Sequence, residues 1–342
     1  QDYDFVLRCV EAVKDEEICH IPKILYHWRC HEDSTAENPE SKLYAFEAGR
    51  RAVQAHYERT GIHAEVFKGE YLGLYRTKFI RDHDPLISII IPNKDHIDDL
   101  EKCLSSVYEK STWKNYEILI VENNSEEQET FEYYKNLSWR YPKARVLTWK
   151  EGFNYAAINN FAVKEAKGSY LLFLNNDVEV ISPGWIEEML MICQQQDVAI
   201  VGAKLYYPDN LIQHAGVVLG MGGIAGHIMC MASCEDKGYF GRAVNVQEIS
   251  AVTAACMLMK AEDFQAVGGF DEEFVVAFND IDLCMKARAA GKKVVFTPYA
   301  ELYHYESKSR GMEDTPEKQF RFEKETKRFE EKWGDEMAKG DP

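Results

Sequence analysis

Four short runs dominated by aliphatic residues alternate with helix-like segments between residues 86 and 174. The runs are 86–91, 117–121, 145–148 and 169–174, and the segments between them repeat apolar residues at helical spacing. Continuous apolar runs of this length are typical of parallel strands that are buried on both faces of a sheet. The alternation therefore predicts an α/β fold with a mostly parallel central sheet flanked by helices.

Polar residues come directly after these runs. Ligands of a doubly wound sheet bind at the carboxyl ends of its strands, so these residues are the first candidates for a site. They are Asn93, Lys94 and Asp95; Glu122, Asn123, Asn124 and Ser125; residues 149–154; and Asn175, Asn176 and Asp177. No G-x-G-x-x-G or G-x-x-x-x-G-K-[ST] pattern follows any run, which argues against a dinucleotide-dependent dehydrogenase and a P-loop hydrolase. A nucleotide would have to be bound by acidic side chains and by the backbone.

The charge balance limits the partners of the chain. It carries 40 Lys and Arg against 57 Asp and Glu, a formal net charge of −17 at pH 7. This field repels nucleic acid, which we therefore exclude, and an anionic ligand must be held locally. Asp177, at the mouth of the last run, is a candidate ligand of Mn²⁺ or Mg²⁺, which prefer oxygen and bridge to phosphates. Capping of a turn is the alternative role for Asp177.

Two later stretches carry further candidate groups. Asp280 and Asp282 are expected in the first turn of a short helix, where a carboxylate acts either as a general base or as the N-cap. Segment 299–311 combines His304 with hydroxyls and with Lys308 and Arg310. That combination suits a phosphate-bearing ligand, and a surface turn is the alternative.

A charged run that ends at Pro85 marks a domain boundary. We predict an N-terminal extension at residues 1–84, with helices at 2–13 and 42–59 and a short strand at 24–28 between them, then a main domain at 85–311. Residues 312–342 are predicted to form a charged helix that docks through its aromatic side chains on the body or on a membrane surface.

The longest uncharged stretch, residues 211–234, is long enough to span a membrane. It contains five glycines, Gln213, His214 and His227, and we predict strands and loops instead. The nine cysteines include no CxxC pair, which favours free thiols in a reducing cytoplasm. We expect a cytoplasmic protein, with peripheral contact at the inner face of the plasma membrane as an option. The oligomeric state is left open.

Taken in order, several stretches resemble the family 2 glycosyltransferases of the GT-A fold. They are 88–93, 120–125, 152–159, 172–177, 268–272, 279–284 and His304. The subgroup that is most similar builds bacterial cell-surface polysaccharides and includes rhamnosyltransferases. The resemblance implies an inverting, metal-dependent transfer from a nucleotide-diphospho-sugar donor to a glycan or lipid-linked acceptor hydroxyl, with Mn²⁺ or Mg²⁺ as the cofactor.

The resemblance also implies roles for single residues. Asp177 and His304 would bind the metal, and Asp280 would be the catalytic base. The donor would be bound by Pro92, Asn93, Glu122, Asn124, Asn159, Asn175, Asn176, Lys308 and Arg310. The acceptor side would be formed by Asp271, Asn279 and Asp282.

Three departures from the family pattern keep other functions open. Glu122 and Asn175 stand where the family usually has Asp, and Asn279 replaces the acid before Asp280. A catalytically inactive module that binds a glycan or a partner is therefore one alternative. A nucleotidyltransferase is a weaker alternative, because a basic, glycine-rich loop would be expected after the first strand.

The N-terminal extension repeats two of these motifs. The opening segment 2–8 resembles 279–283, and Tyr26-His27-Trp28 resembles Tyr303-His304-Tyr305. We expect this extension to be the tail of a truncated upstream glycosyltransferase domain, without activity of its own.

Overall fold

The computed structural model describes residues 2–14, 17–27, 43–81, 83–306 and 315–340. The chain forms two compact units, Gln1–Ile80 and Arg81–Pro342.

The first unit contains two helices and a hairpin. The helices are α1 (Asp2–Ala12) and α2 (Leu43–Thr60), and strands β1 (Ala64–Lys68) and β2 (Tyr75–Phe79) pair antiparallel. Tyr75 donates from its hydroxyl to the Phe46 carbonyl oxygen at 2.8 Å, which fastens the hairpin to α2. The short strand predicted at 24–28 is wrong for residues 24–27, which form no strand, and Trp28 lies outside the described residues.

A ten-stranded sheet is the centre of the second unit. The strands of this unit are β3 (Ile87–Asn93), β4 (Tyr116–Asn123), β5 (Ala144–Trp149), β6 (Tyr170–Leu174), β7 (Val178–Val180), β8 (Val198–Tyr206), β9 (Ile212–His214), β10 (Val217–Leu219), β11 (Ala225–His227), β12 (Gln247–Glu248), β13 (Cys256–Lys260) and β14 (Lys293–His304). The path of the sheet is β12-β14-β8-β13-β6-β3-β4-β5, while β7 pairs with β14 and β9 with β8; β10 and β11 form a separate hairpin.

Helices flank this sheet. They are α3 (Ile97–Lys110), α4 (Gln128–Arg140), α5 (Tyr155–Glu165), α6 (Trp185–Cys193), α7 (Ala261–Ala266), α8 (Asn279–Ala289) and α9 (Pro316–Ala338). The four predicted strands form the parallel part β6-β3-β4-β5, whereas β13 runs antiparallel to both β6 and β8. The predicted α/β fold is confirmed.

Burial explains the continuous apolar runs. The isoleucines of β3 at positions 87, 89, 90 and 91 are completely buried, as both faces of a covered parallel sheet require. Gly168 precedes β6 where the chain passes very close to β3: an added Cβ would lie 2.6 Å from the Ser88 backbone nitrogen. Only glycine fits this crossing without displacing the sheet.

Within the second unit, α9 packs against the rest of the domain, which is one of the two positions that the sequence predicted for it. Phe329 is completely buried. The buried carboxylate of Glu325 accepts from the backbone N–H of Val275 at 3.1 Å and of Ala277 at 2.6 Å. These bonds give partners to backbone N–H groups of the loop that leads into α8, so α9 stabilises the conformation of that loop.

None of the helices in the described part of the chain is long and apolar enough to cross a bilayer. The described cysteines are all free. Four are buried and four are exposed.

Candidate active site

The pairing of β7 with the end of β14 brings Asp177 and His304 together. Asp177 lies in the turn between β6 and β7, and His304 is opposite Val178 in the register. His304 Nε2 is 3.2 Å from Asp177 Oδ1, and both side chains are nearly completely buried. Asn175 donates from Nδ2 to His304 Nε2 at 3.1 Å. Two residues 127 positions apart in the chain thus share one corner of the sheet.

Gln213 on β9 determines how His304 is protonated. Its Nε2 donates to the His304 carbonyl oxygen at 3.3 Å and to Glu306 Oε2 at 3.1 Å. The other end of this amide, Oε1, therefore accepts from His304 Nδ1, which lies 2.6 Å away. With the proton on Nδ1, Nε2 is the ring nitrogen left to accept, and it lies between the Asn175 amide and Asp177.

This pair fits a divalent cation. The separation of 3.2 Å between Nε2 and Oδ1 is close to the value of about 3 Å between adjacent ligands that each lie about 2.1 Å from an octahedral ion. A metal-binding histidine usually donates its other N–H to an acceptor, as His304 does to Gln213. Within the described ranges, no group of three or more His, Cys, Asp or Glu side chains is placed to hold an ion. Substrate phosphates would have to complete the coordination, which is usual for Mg²⁺.

The ends of β3, β4 and β6 are joined by a side-chain network. Asn176 donates from Nδ2 to Asn93 Oδ1 at 2.7 Å, and Asn93 donates from Nδ2 to the Tyr134 hydroxyl at 2.8 Å. The buried carboxylate of Glu122 accepts from the Tyr134 hydroxyl at 3.3 Å and from the N–H and hydroxyl of Ser125 at 2.7 and 2.5 Å. Three predicted donor-binding residues are thereby brought together. Tyr134, in the middle of α4, was not predicted.

The remaining donor-side predictions fall in different surroundings. Pro92 is half-buried in β3, and Asn124 is exposed, with φ of 56° and its amide donating to the Glu151 carbonyl oxygen at 2.7 Å. Asn159 is completely buried in α5 and donates to the Tyr155 carbonyl oxygen at 2.8 Å. Asn159 therefore belongs to the core beneath the site. Lys308 and Arg310 lie outside the described residues.

Asp280 occupies the first turn of α8. The N-cap residue is Phe278, with φ of 63°, so neither Asp280 nor Asp282 has the N-cap role. Asp280 Oδ2 accepts from the Ala254 backbone N–H at 3.1 Å. This contact fixes the carboxylate against the loop before β13.

Tyr155 connects Asp280 with the metal-side pair. Its hydroxyl donates to the Ala254 carbonyl oxygen at 3.2 Å, so it shares a loop residue with Asp280. Burial, and then the negative charges of Asp280 and Asp177, raise the pKa of Tyr155. The Asn175 backbone N–H donates to the Ala255 carbonyl oxygen at 3.1 Å, so the loop that holds Asp280 also borders the corner formed by Asp177 and His304. Tyr155 has no motif of its own in the sequence, and only its position at the start of α5 suggests it.

The three predicted acceptor-side residues have partners within the protein. Asp282 is completely buried and lies 2.7 Å from Lys332 Nζ. The indole N–H of Trp333 in α9 donates to it at 2.8 Å. Asp271 also accepts from Lys332 Nζ, at 2.8 Å. Asn279 donates to the Val276 carbonyl oxygen at 2.8 Å. The two carboxylates anchor α9, and Asp282 is placed beneath that helix rather than at an open acceptor surface.

The sequence profile described as "Glycosyl transferase family 2" matches residues 88–267. The chain belongs to glycosyl transferase family 2. The resemblance predicted from the motifs is confirmed. The profile match ends before Asp271, Asp280 and His304, so the assignment of those residues depends on the geometry described above.

Similar proteins support the family and the fold. Over 335 residues the chain is 48% identical to the uncharacterized protein y4gI of Sinorhizobium fredii, covering 97% of this chain and 37% of that protein. Over 318 residues it is 39% identical to the O-antigen biosynthesis protein RfbC of Myxococcus xanthus, covering 93% and 24%. The chain thus spans only about a third and a quarter of these two relatives. The crystal structure of GalNAc-T7 with UDP, GalNAc and Mn²⁺ superposes with a TM-score of 0.53 at 15% identity, covering 66% of this chain and 44% of that one. This confirms the GT-A fold of the family 2 domain.

Proposed function

We propose that this family 2 glycosyltransferase moves a sugar from a nucleotide-diphospho-sugar to a hydroxyl of a glycan or lipid-linked acceptor, with inversion, in the synthesis of a cell-surface polysaccharide. The observation that carries the proposal is the convergence of the Asp177–His304 pair and Asp280 around Tyr155. The similarity to an O-antigen biosynthesis protein supports the polysaccharide role. The Mn²⁺ and UDP of the structural neighbour support the donor and cofactor class.

The residues divide the work between the two reactants. Asp280, held by the Ala254 N–H at 3.1 Å, takes the proton of the attacking hydroxyl, and general-base catalysis of this kind typically contributes about 10²–10⁴-fold. Asp177 and His304 would hold a divalent ion, which would supply positive charge to stabilise the departing diphosphate. Holding donor and acceptor in line supplies much of the remaining rate.

The replacement Asp177→Ala should abolish metal-dependent binding of the donor, because His304 alone offers one ligand. Calorimetric titration of UDP, GDP and dTDP, with Mn²⁺ and with EDTA, measures this loss. The control is Asp84→Ala, because the Asp84 carboxylate is exposed and lies just before β3, at the amino end of the parallel strands. An unchanged Mn²⁺-dependent affinity in Asp177→Ala would contradict the assignment.

The replacement Asp280→Asn should leave donor affinity within about twofold while transfer falls by about 10²–10⁴-fold, the usual contribution of a general base. The amide keeps an oxygen for the Ala254 N–H, so the fold of the loop is preserved. Binding is read by the same titration and transfer by release of nucleoside diphosphate, with Asp84→Asn as the matched control. Full turnover in Asp280→Asn would remove Asp280 from the mechanism.

A binding module without transferase activity is the second candidate. The amide of Asn279 faces a backbone carbonyl and so provides no acid beside Asp280. Hydrolysis of the nucleotide-sugar without an acceptor separates the two candidates, because a live enzyme releases nucleoside diphosphate slowly to water and a binding module does not.

A further inference from the structure

Two histidines that the mechanism above does not use lie against each other beside the pocket. His214 ends β9 and His227 ends β11, and their Nδ1 atoms are 3.0 Å apart. The two rings are tilted by 74° with centroids 4.9 Å apart. His214 is completely buried, and His227 is exposed. The buried ring of His214 thus contacts the exposed ring of His227 from the protein side.

The backbone places this pair between the two halves of the proposed site. Val217 of β10 is opposite His227 in the hairpin and also forms a bridge with Ala251. Three residues after Ala251, the N–H of Ala254 holds Asp280. On the other side, the residue before His214 is the glutamine that fixes His304.

Electrostatics agrees with this placement. Partial desolvation of its ring lowers the pKa of His227, Asp280 and Glu306 act to raise it, His304 acts to lower it, and a hydrogen bond with the Gln213 backbone acts to raise it. The charges of the proposed base and of the metal side thus both act on His227, in agreement with the position that the backbone gives it.

The buried member of the pair sets the direction of the hydrogen bond. Burial holds the pKa of His214 well below its usual value, so its ring is neutral. Its Nε2 is buried and has no hydrogen-bond partner among the described residues. Orphaned buried N–H groups are rarer than under-satisfied acceptors, so the proton of His214 is on Nδ1 and is donated to His227 Nδ1. His227 then carries its own proton on Nε2, the ring nitrogen that His214 does not engage.

We propose that His227 is a specificity-determining residue: its Nε2–H donates to a hydroxyl oxygen of the sugar that is transferred, and His214 is the positioning residue that orients it. This inference rests on the proposed function. The transferred sugar must lie between the diphosphate at Asp177 and His304 and the acceptor hydroxyl at Asp280, and the β10–β11 hairpin brings His227 to that interval. A neutral imidazole N–H suits an uncharged hydroxyl.

The test compares nucleotide-sugars with the nucleoside diphosphates that they contain. UDP-glucose with UDP, GDP-mannose with GDP and dTDP-rhamnose with dTDP are titrated by calorimetry with Mn²⁺. For the pair that the wild type binds, His227→Ala should lower the affinity for the nucleotide-sugar about 5–10-fold, the effect of one neutral hydrogen bond. The affinity for the nucleoside diphosphate should be unchanged. His227→Gln, which keeps an N–H donor, should recover part of the loss. His83→Ala, at an exposed position outside the pocket, is the control.

The outcomes are distinguishable. A wild type that binds none of the six compounds overturns the proposed function and this inference together. If His227→Ala lowers the affinity for the nucleotide-sugar and the nucleoside diphosphate equally, His227 contacts phosphate. If neither affinity changes, His227 is not part of the site. Either result overturns the inference and leaves the proposed function standing. His214→Phe should lower the affinity for the nucleotide-sugar only when His227 is present. If the losses of His214→Phe and His227→Ala add in the double variant, His214 has no positioning role.

Discussion

At the scale of single residues, the Tyr134 hydroxyl joins the side chains at the ends of β3 and β4. It accepts from Asn93 and donates to Glu122, and both of those side chains are buried. Tyr134→Phe should lower the free energy of unfolding by about 1–2 kcal/mol, because two buried polar groups each lose a partner. Urea denaturation measures this difference against Tyr239→Phe, whose ring is 79% exposed. Equal stability of the two variants would show that the network is not needed for folding.

The sequence predicts site residues where a group follows a strand, and misses those that depend on long-range packing. Asp177, Asn93 and Glu122 were selected as candidates because strand ends of a parallel sheet converge, and the structure brings these strand ends together. Gln213 was noticed only as a polar residue in an uncharged stretch, yet it fixes the tautomer of His304. Asp282 was expected near the acceptor, but it is covered by α9. No local pattern tells which side of α8 a distant helix will cover.

At the scale of elements, patterns of hydrophobicity predicted the first half of the sheet well. The run predicted at 86–91 became β3 at Ile87–Asn93, and that at 169–174 became β6 at Tyr170–Leu174. Strand direction was not predictable, because β13 is as continuously buried as its neighbours and yet runs antiparallel to them. The short strands β9 to β11 have three residues each. They are too short for a periodicity, and tertiary contacts determine them.

At the scale of the whole molecule, the two compact units differ in what stabilises them. The second unit buries an extended apolar core on its sheet, whereas α1 of the first unit has no buried residue. The contacts of α1 include an ion pair of Glu11 with Arg59, whose Nε donates at 2.8 Å, and a hydrogen bond from His56 Nδ1 at 2.7 Å. The attachment of α1 to α2 is therefore predicted to depend on charge, and that of the sheet on hydrophobic burial.

The first unit should consequently loosen in acid. The hydrogen bond from Arg59, followed by that from His56, lowers the pKa of Glu11 from 4.5 to about 2. A lowered folded-state pKa means that the contact stabilises the unit above pH 4.5 and is lost as the pH falls toward 2. Glu11→Gln should reproduce this loss at neutral pH: hydrogen exchange of the α1 amides should become faster, while the amides of β3 and β6 keep their protection. Glu65→Gln, at an exposed position on β1, is the matched control. If α1 keeps its protection in Glu11→Gln, apolar contacts rather than charge hold it to α2.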